Sequence, residues 1–270
     1  MKTWTSLLSE KPELPIGILH WWLSDYLNRS LTNLPLQETV SETDQGAFEE
    51  AVERLAKGEP VQYVCGKTPF RDLELKVDKR VLIPRPETEQ LVQIVLDRFT
   101  NSHYRILDVG TGSGCIALSI KKARPGWEIT GLDISQDAID LARENAETLQ
   151  LDVAFKQVDL LTDMPFRSSE LIIANLPYIG TEEWDNLPVT VREYEPALAL
   201  FSGPKGTDLI LRLLEQAKDV LVPGGHLLLE TGENQGDVWR KAAEDGKWEV
   251  EGIKDLAERK RFWIFSLPQS

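Results

Sequence analysis

The hydrophobic pattern changes near residue 100 and predicts two different kinds of structure. From Tyr104 onward, short apolar runs bounded by turn residues alternate with stretches whose apolar residues recur at helical spacing. Such alternation is typical of an α/β fold with a mostly parallel sheet and right-handed crossovers. Because only a loop separates the last two strands, one of them is expected to run antiparallel. We predict strands at residues 104–109, 128–133, 153–157, 171–174, 226–230, 248–253 and 262–267, and helices near residues 115–122, 136–149, 206–221 and 235–244.

The residues ahead of this pattern predict a small helical domain. Apolar positions recur at helical spacing over residues 16–27 and 47–56, with no Gly-rich strand turn between them. We therefore assign residues 1–65 to a helical domain that docks the substrate. Trp21 and Trp22 are expected to pack in its core.

A β-hairpin linker is predicted after the helical domain, over residues 66–83. Residues 70–77 alternate apolar and charged side chains, which is typical of a half-buried strand. Residues 78–80 are expected to turn the chain and residues 81–83 to return as the second strand. The remaining residues, 84–270, form the larger predicted domain.

Composition and charge argue against several classes of protein. The 270 residues are 41% hydrophobic and 27% charged, as in ordinary globular proteins. The formal net charge of −14 argues against tight binding to nucleic-acid phosphates, but an acidic face can still meet a basic protein. No run of about 18 uncharged apolar residues is present, so we expect no membrane partner. The two cysteines, with no signal-peptide pattern, favour the cytoplasm, and three scattered histidines predict no metal site.

A glycine-rich turn follows the first predicted strand of the sheet. Gly110-Thr-Gly-Ser-Gly114 allows a tight turn and the close approach of a ligand to the backbone. Asp133 ends the next predicted strand, where a carboxylate can accept both hydroxyls of a ribose. A plain strand-to-helix turn is one alternative. A dinucleotide-binding dehydrogenase is another, although its G-x-G-x-x-G/A fingerprint would place Gly or Ala where this chain has Cys115. The spacing favours a loop that holds S-adenosylmethionine.

The segment after the strand at residues 171–174 predicts a cup for a planar NH₂ group. The side-chain oxygen of Asn175 and the backbone carbonyl of Leu176 can each accept one N–H. The Tyr178 ring can lie against the flat face of the group, and Pro177 stiffens the turn by fixing φ. A nitrogen held in this way presents its lone pair in one direction, towards an electrophile bound nearby. The alternative is a strand-end turn capped by Asn175.

Three predicted features converge on one crevice. The glycine-rich turn, the acid at residue 133 and the cup all follow strand ends, and ligands of such sheets bind beyond the carboxyl ends of the strands. Residues 179–205 form a long, irregular segment beside the cup, which we expect to cover the substrate.

Taken together, these residues resemble class I S-adenosylmethionine-dependent methyltransferases. The chain resembles more closely the PrmC/HemK family, which methylates the glutamine side-chain amide of the GGQ motif in bacterial class 1 peptide chain release factors. The resemblance runs from about residue 55 to the C-terminus, and the first fifty residues are similar only as a helical domain of like size. The matching stretches are Gly58-Glu-Pro-Val-Gln-Tyr63, Leu82-Ile-Pro-Arg-Pro-Glu-Thr-Glu89, Leu107-Asp-Val-Gly-Thr-Gly-Ser-Gly114, Asp133-Ile-Ser135, Glu195-Pro196, and Glu230 with Gln235.

The resemblance implies a fold, a cofactor and a set of site residues. The fold is Rossmann-like with a mostly parallel seven-stranded sheet, the cofactor is S-adenosyl-L-methionine, and the partner is a release factor, with no direct nucleic acid and a monomeric enzyme. The implied catalytic residues are Asn175, Leu176, Pro177 and Tyr178. The implied cofactor-binding residues are Gly110, Thr111, Gly112, Ser113 and Gly114 at the methionine and ribose ends, Asp133 at the ribose hydroxyls, Asp159 and Leu160 near the adenine, and Asn175.

The chain departs from the family pattern at three positions. Leu176 replaces the first Pro of the usual Asn-Pro-Pro-Tyr, Leu160 stands where an aromatic residue is common, and Glu258 stands where Gly is usual. Asn-Leu-Pro-Tyr is also typical of ribosomal RNA adenine dimethyltransferases, so methylation of adenine N6 in RNA or DNA is the main alternative. Those enzymes are basic and carry their helical domain after the catalytic one, whereas this chain is acidic and has about a hundred residues ahead of the Gly loop. A cofactor-binding regulatory module without catalysis is the third hypothesis, which the intact cup opposes.

Overall fold

The N-terminal helices enclose their own hydrophobic core. The computed structural model describes residues 2–269. Its first four helices are α1 (Trp4–Ser9), α2 (Ile16–Tyr26), α3 (Glu42–Ala56) and α4 (Val61–Cys65). The side chain of Ser41 caps α3 by accepting a hydrogen bond from the backbone N–H of Asp44. Trp22 is buried against Phe48 as predicted, but the prediction for Trp21 is wrong, because Trp21 is 37% exposed.

The hairpin linker occurs, but its predicted strands are displaced. Strands β1 (Lys67–Phe70) and β2 (Leu73–Lys76) pair antiparallel, so the chain turns at residues 71–72 rather than at 78–80. The predicted return strand at residues 81–83 is therefore wrong. That segment is irregular because other groups satisfy its backbone: the Tyr63 hydroxyl donates to the carbonyl of Val81 at 2.5 Å.

A seven-stranded sheet forms the centre of the larger domain. Its strands lie in the order β5-β4-β3-β6-β7-β9-β8, and only β9 runs antiparallel to its neighbours, which confirms the predicted mostly parallel sheet. The strands are β3 (Arg105–Val109), β4 (Glu128–Asp133), β5 (Ala154–Gln157), β6 (Ser169–Ala174), β7 (Leu221–Glu230), β8 (Glu249–Lys254) and β9 (Lys260–Ser266). The helices of this domain are α5 (Pro86–Arg98), α6 (Cys115–Ala123), α7 (Gln136–Leu149), α8 (Val189–Tyr194), α9 (Asp208–Val220) and α10 (Gly236–Gly246).

Two hydrophobic layers cover the two faces of the sheet. One layer packs α5 and α6 against one face, and the other packs α9 and α10 against the opposite face. Strand β6 lies between the layers, and its residues Leu171–Ala174 are fully buried, so this strand is a continuous apolar run rather than an alternating one.

The order of the strands fixes where a ligand can bind. The chain proceeds outward from β3 through β4 to β5, and then returns to the other side of β3 with β6. A crevice opens beyond the carboxyl ends of the strands at such a reversal. The glycine-rich turn, Asp133, Asn175 and Glu230 end β3, β4, β6 and β7 respectively, and therefore gather at one edge.

Within residues 2–269, no helix combines the length and the apolar character needed to cross a membrane. The same residues hold no group of three or more His, Cys, Asp or Glu side chains placed to bind a metal ion.

Candidate active site

A cavity of about 230 Å³ lies at the carboxyl edge of the sheet, where the strand order reverses. Its walls include Gly110–Ser113, Asp133, Asp159 and Leu160, and Asn175–Pro177. The structure thus brings most of the sequence-predicted site residues to one place. Gly114 and Tyr178 do not line the cavity.

The glycine-rich turn is tied to the neighbouring strand. The backbone N–H groups of Gly110 and Thr111 both donate to the carbonyl of Leu132, at 2.8 and 2.9 Å. At Gly112, φ is +55°, and a β-carbon built there would meet no atom within 4 Å, so the backbone faces open space. At Gly114 a β-carbon would lie 3.3 Å from the ring of Phe155, so this glycine serves packing behind the turn.

Asp133 links the turn to the start of helix α7. One of its carboxylate oxygens accepts the N–H of Gly112 at 3.0 Å, and the other accepts the N–H of Ser135 at 2.9 Å. A carboxylate offers about four lone-pair directions, so both oxygens can still accept from a ligand. The carboxylate therefore holds the turn in shape and also presents acceptors to the cavity.

A second acid, Asp108, lies beneath the turn and was not singled out by sequence reasoning. It is fully buried, and one oxygen accepts from the hydroxyl of Thr111 at 2.6 Å and from the N–H of Ala117 at 3.1 Å. The other oxygen makes no hydrogen bond within residues 2–269. Burial raises the pKa of Asp108 to about 7.

The far wall of the cavity is mainly apolar and can accept a flat ring. Leu160 is buried with φ of +53°, in the left-handed region. Ile134 and Val158 complete this part of the wall. The Asp159 carboxylate accepts from the guanidinium of Arg212 at 2.8 Å at the rim.

The cup residues follow the end of β6 directly. Neither the N–H nor the carbonyl of Leu176 bonds to another residue in the described chain, so the carbonyl is free to accept. The Leu176 side chain is buried against the glycine-rich turn, and a β-carbon on Gly110 would come within 2.7 Å of its Cδ2. The cup and the turn are therefore in direct contact. A nitrogen held by the cup would lie beside a ligand held by the turn.

Asn175 is held by residues from two other elements. Its Nδ2 donates to the hydroxyl of Thr88 on α5 at 2.9 Å, and that hydroxyl donates to Glu230 at the end of β7 at 2.8 Å. Burial raises the pKa of Glu230 to about 7, and burial together with the Glu230 carboxylate raises that of Tyr178 to about 12. Thr88 and Glu230 lie in stretches that match the family pattern, but no local sequence signal gave either residue a role.

The segment at residues 179–205 is more regular than predicted. It contains 3₁₀ turns at Thr181–Asn186 and Ala197–Ala199, with α8 between them. Helix α8 and the second 3₁₀ turn each begin directly after a proline. Pro196, Leu198 and Ala199 line the cavity. The buried Glu195 carboxylate anchors the segment by accepting from Arg85 at 2.6 Å.

The fold and the crevice define the class of protein: this is a class I S-adenosylmethionine-dependent methyltransferase. A family model described as a methyltransferase domain matches residues 100–264, and one described as the PrmC N-terminal domain matches residues 1–66. The chain belongs to the release factor glutamine methyltransferase family.

Curated relatives match most of the chain. The release factor glutamine methyltransferase of Lactococcus lactis is 42% identical over 231 residues, covering 85% of each chain. That of Streptococcus pneumoniae is 41% identical over 219 residues, covering 78% of each chain. Among solved structures, a methyltransferase from Pyrococcus furiosus shares the fold with a TM-score of 0.56 at 19% identity, covering 82% of this chain and 99% of its own.

Proposed function

We propose that this enzyme transfers a methyl group from S-adenosylmethionine to the side-chain amide nitrogen of a glutamine in class 1 peptide chain release factors. The observation that carries the proposal is the orientation of Asn175. Its amide nitrogen is tied to Thr88, so its oxygen is the atom left for an N–H in the cavity. The family membership and the PrmC N-terminal domain support the same substrate class.

The cavity fits the cofactor by its chemistry. The open backbone at Gly112, flanked by Gly110–Ser113, would hold the methionine end, and Asp133 would accept the ribose hydroxyls. The apolar wall at Leu160 would cover the adenine, with Asp159 at the rim. Gly114 contributes by packing behind the turn rather than by contacting the cofactor. When bound, S-adenosylmethionine supplies an electrophilic methyl group on its sulfonium.

The cup prepares a poor nucleophile for attack. The lone pair of a glutamine amide is delocalised into its carbonyl, so the nitrogen must be oriented and partly released from planarity. Asn175 Oδ1 and the Leu176 carbonyl each accept one N–H, which directs the lone pair towards the turn. Alignment of this kind can lower a barrier by up to roughly 7–11 kcal/mol. The same acceptors stabilise the positive charge that develops on nitrogen, which then loses its proton to water. The Tyr178 backbone is held by the Gln235 side chain at 2.9 Å, which steadies the cup.

The acceptor itself can be identified by competition. The enzyme is incubated with methyl-labelled cofactor, a class 1 release factor and ribosomal RNA in one mixture. We expect the label in the protein fraction, because the acidic chain repels nucleic-acid phosphates. Label in the RNA fraction would favour the adenine methyltransferase instead.

Release factors act at the ribosome, so we place the enzyme in the cytoplasm, acting as a monomer.

We further propose that residues 1–65 dock the release factor, with 66–83 as linker and 84–270 as the methyltransferase domain. The N-terminal helices carry a separate core and an exposed apolar surface that includes Ile16 and Leu31. Their contacts with the rest include Tyr63, buried among linker and α7 residues, and the hydroxyl of Tyr194, which donates to the carbonyl of Lys57.

A shortened chain tests this docking role. A chain beginning at Gly58 keeps Tyr63 and the hairpin but loses α1 to α3. We expect it to bind the cofactor normally and to methylate an intact release factor much more slowly than the full chain does. A short glutamine peptide, which cannot reach the helical domain, should lose far less rate. Equal rates of both chains on the intact release factor would contradict the docking role, and calorimetry with the cofactor checks that the shortened chain is folded.

A further inference from the structure

Three polar side chains, two of them buried, form a line that ends at the cup. Glu230 and Thr88 are each 1% exposed, and Asn175 is half-buried at the cavity wall. The contacts are 2.8 Å from the Thr88 hydroxyl to Glu230 Oε2 and 2.9 Å from Asn175 Nδ2 to the Thr88 hydroxyl. The three residues come from β7, α5 and the loop after β6, so the fold alone brings them together.

The protons in this line fix the direction of the Asn175 amide. An ionised carboxylate only accepts hydrogen bonds, and a hydroxyl has a single proton to donate. With Glu230 ionised, that proton belongs to the Thr88–Glu230 bond, and Thr88 can only accept from its other neighbour. Asn175 must then turn its NH₂ towards Thr88, which leaves Oδ1 for the substrate.

Protonation of Glu230 removes this restriction. The carboxylic acid can donate to the Thr88 oxygen, and the hydroxyl proton is then free to donate to Asn175 Oδ1. The amide rotates by half a turn, and its NH₂ group faces the cavity. A donor then meets the N–H of the substrate, and the cup no longer orients the nitrogen.

We propose that Glu230 and Thr88 are positioning residues that select the productive orientation of the Asn175 amide. The inference rests on the proposed function, since it assumes that the Asn175 oxygen accepts a substrate N–H. Thr88 also lines the cavity, but its hydroxyl is engaged by Glu230 and Asn175, and neither residue needs to bond to the cofactor or the reacting atoms. Their effect is therefore on the rate of transfer rather than on the affinity for the cofactor.

Burial and, to a smaller extent, the charges around Glu230 set the pH range of this control. Arg261 on β9 and Arg85 ahead of α5 favour the ionised form, while Glu87 on α5 opposes it. Burial and, to a smaller extent, the Glu230 carboxylate raise the pKa of the Tyr178 phenol and of the Cys115 thiol, at the start of α6. Burial outweighs the arginines, and the pKa of Glu230 rises to about 7. Since the productive orientation needs the ionised form, the transfer rate is expected to rise as pH increases through about 7.

Four variants test the proposal in single-turnover assays at saturating cofactor. Thr88→Val keeps the shape but removes the hydroxyl, and Glu230→Met removes the acceptor. Both are expected to lower the transfer rate by about 10- to 100-fold, the scale of a misplaced catalytic group, with the cofactor Kd unchanged. Thr88→Ser restores the hydroxyl and should recover most of the rate lost in Thr88→Val. Glu230→Gln cannot titrate at this position, so its rate should lose the part of the pH dependence near 7 that the wild type owes to Glu230.

Matched controls lie far from the cup. Thr68→Val removes the hydroxyl of a buried threonine in the hairpin, and Glu170→Gln neutralises a carboxylate at the opposite edge of the sheet, where it pairs with Arg105. Both are expected to retain the wild-type rate and the wild-type pH profile.

The outcomes separate this proposal from the proposed function. If the wild type labels RNA rather than a release factor, the proposed function fails, and the variants are assayed on RNA, because an adenine amino group needs the same acceptor. If the wild type transfers methyl and Thr88→Val matches its rate, the positioning role is refuted. A parallel loss of cofactor affinity would refute it as well, and if Thr88→Val does not fold, a Glu230→Met enzyme that keeps the wild-type rate would do so.

Discussion

Replacing Asn175 by alanine is expected to lower the methyl-transfer rate by about 10²–10³-fold, the cost of removing one preorganised hydrogen-bonding group that stabilises developing charge. The Asn175 oxygen is the only side-chain acceptor that we assign to the cup. The substitution leaves the glycine-rich turn and Asp133 unchanged, so the cofactor should bind with nearly wild-type affinity. Single-turnover rates with a release factor, together with calorimetry of the cofactor, measure both quantities. A near wild-type rate would show that the amide-orienting mechanism is wrong.

The neighbouring position supplies the matched control. Leu176 acts through its carbonyl, which every residue possesses, and its N–H makes no hydrogen bond to the described residues. Leu176→Pro removes only that unused donor and the side chain packed on Gly110. We expect transfer to glutamine at a rate of the same order as that of the wild type. An enzyme that gains glutamine activity only with this substitution would have another natural acceptor, and adenine would be tested first.

Replacing Asp133 by alanine is expected to weaken cofactor binding by about 1.5–3 kcal/mol, or roughly 10- to 150-fold in Kd. The substitution removes the charged acceptor for the ribose hydroxyls. It also releases the N–H groups of Gly112 and Ser135, so part of the loss comes from a looser turn. Isothermal titration calorimetry with the cofactor measures the change, and circular dichroism confirms that the variant is folded.

A second variant separates the two contributions of Asp133. Asp133→Asn keeps one acceptor oxygen and is expected to bind the cofactor better than Asp133→Ala does, because that oxygen can still accept one of the present hydrogen bonds. Unchanged affinity in a folded Asp133→Ala protein would remove this residue from the cofactor site. Tight binding of a nicotinamide dinucleotide would revive the dehydrogenase alternative.

The central sheet could be predicted from the sequence because its strands carry a strong local signal. Leu171–Ala174 is buried on both faces, so it stands out as an apolar run between turn residues. The same holds for Arg105–Val109 ahead of its glycines. The direction of the last strand was also predictable, since the loop before it is too short for a crossover helix.

The hairpin and the tryptophans show where local signals fail. The turn at residues 71–72 contains Arg71 with φ of +52° and no glycine, whereas residues 78–80 are polar and were the more plausible turn. Trp21 and Trp22 are adjacent on one helix, where successive side chains point about 100° apart, so only one of them can face the core.

The site likewise contains residues that local sequence signals indicate and residues that they do not. The glycine-rich turn, Asp133 and the cup each follow a strand, so their convergence follows from the topology of the sheet. The Thr88–Glu230 contact joins residues 142 positions apart, and no periodicity or turn chemistry indicates it. Only the packed structure shows that a helix and two strand ends meet at Thr88, which bonds to both Glu230 and Asn175.

We propose that the methyl acceptor is the side-chain nitrogen of a glutamine. The identity of the acceptor is tested most directly by incubating the wild-type enzyme with methyl-labelled S-adenosylmethionine and a class 1 release factor, and then locating the label by peptide mass spectrometry. We expect one methyl group on the amide nitrogen of the GGQ glutamine, and no label in a release factor whose glutamine is replaced by glutamate. A methyl group on any other residue, or transfer that persists without that glutamine, would contradict it.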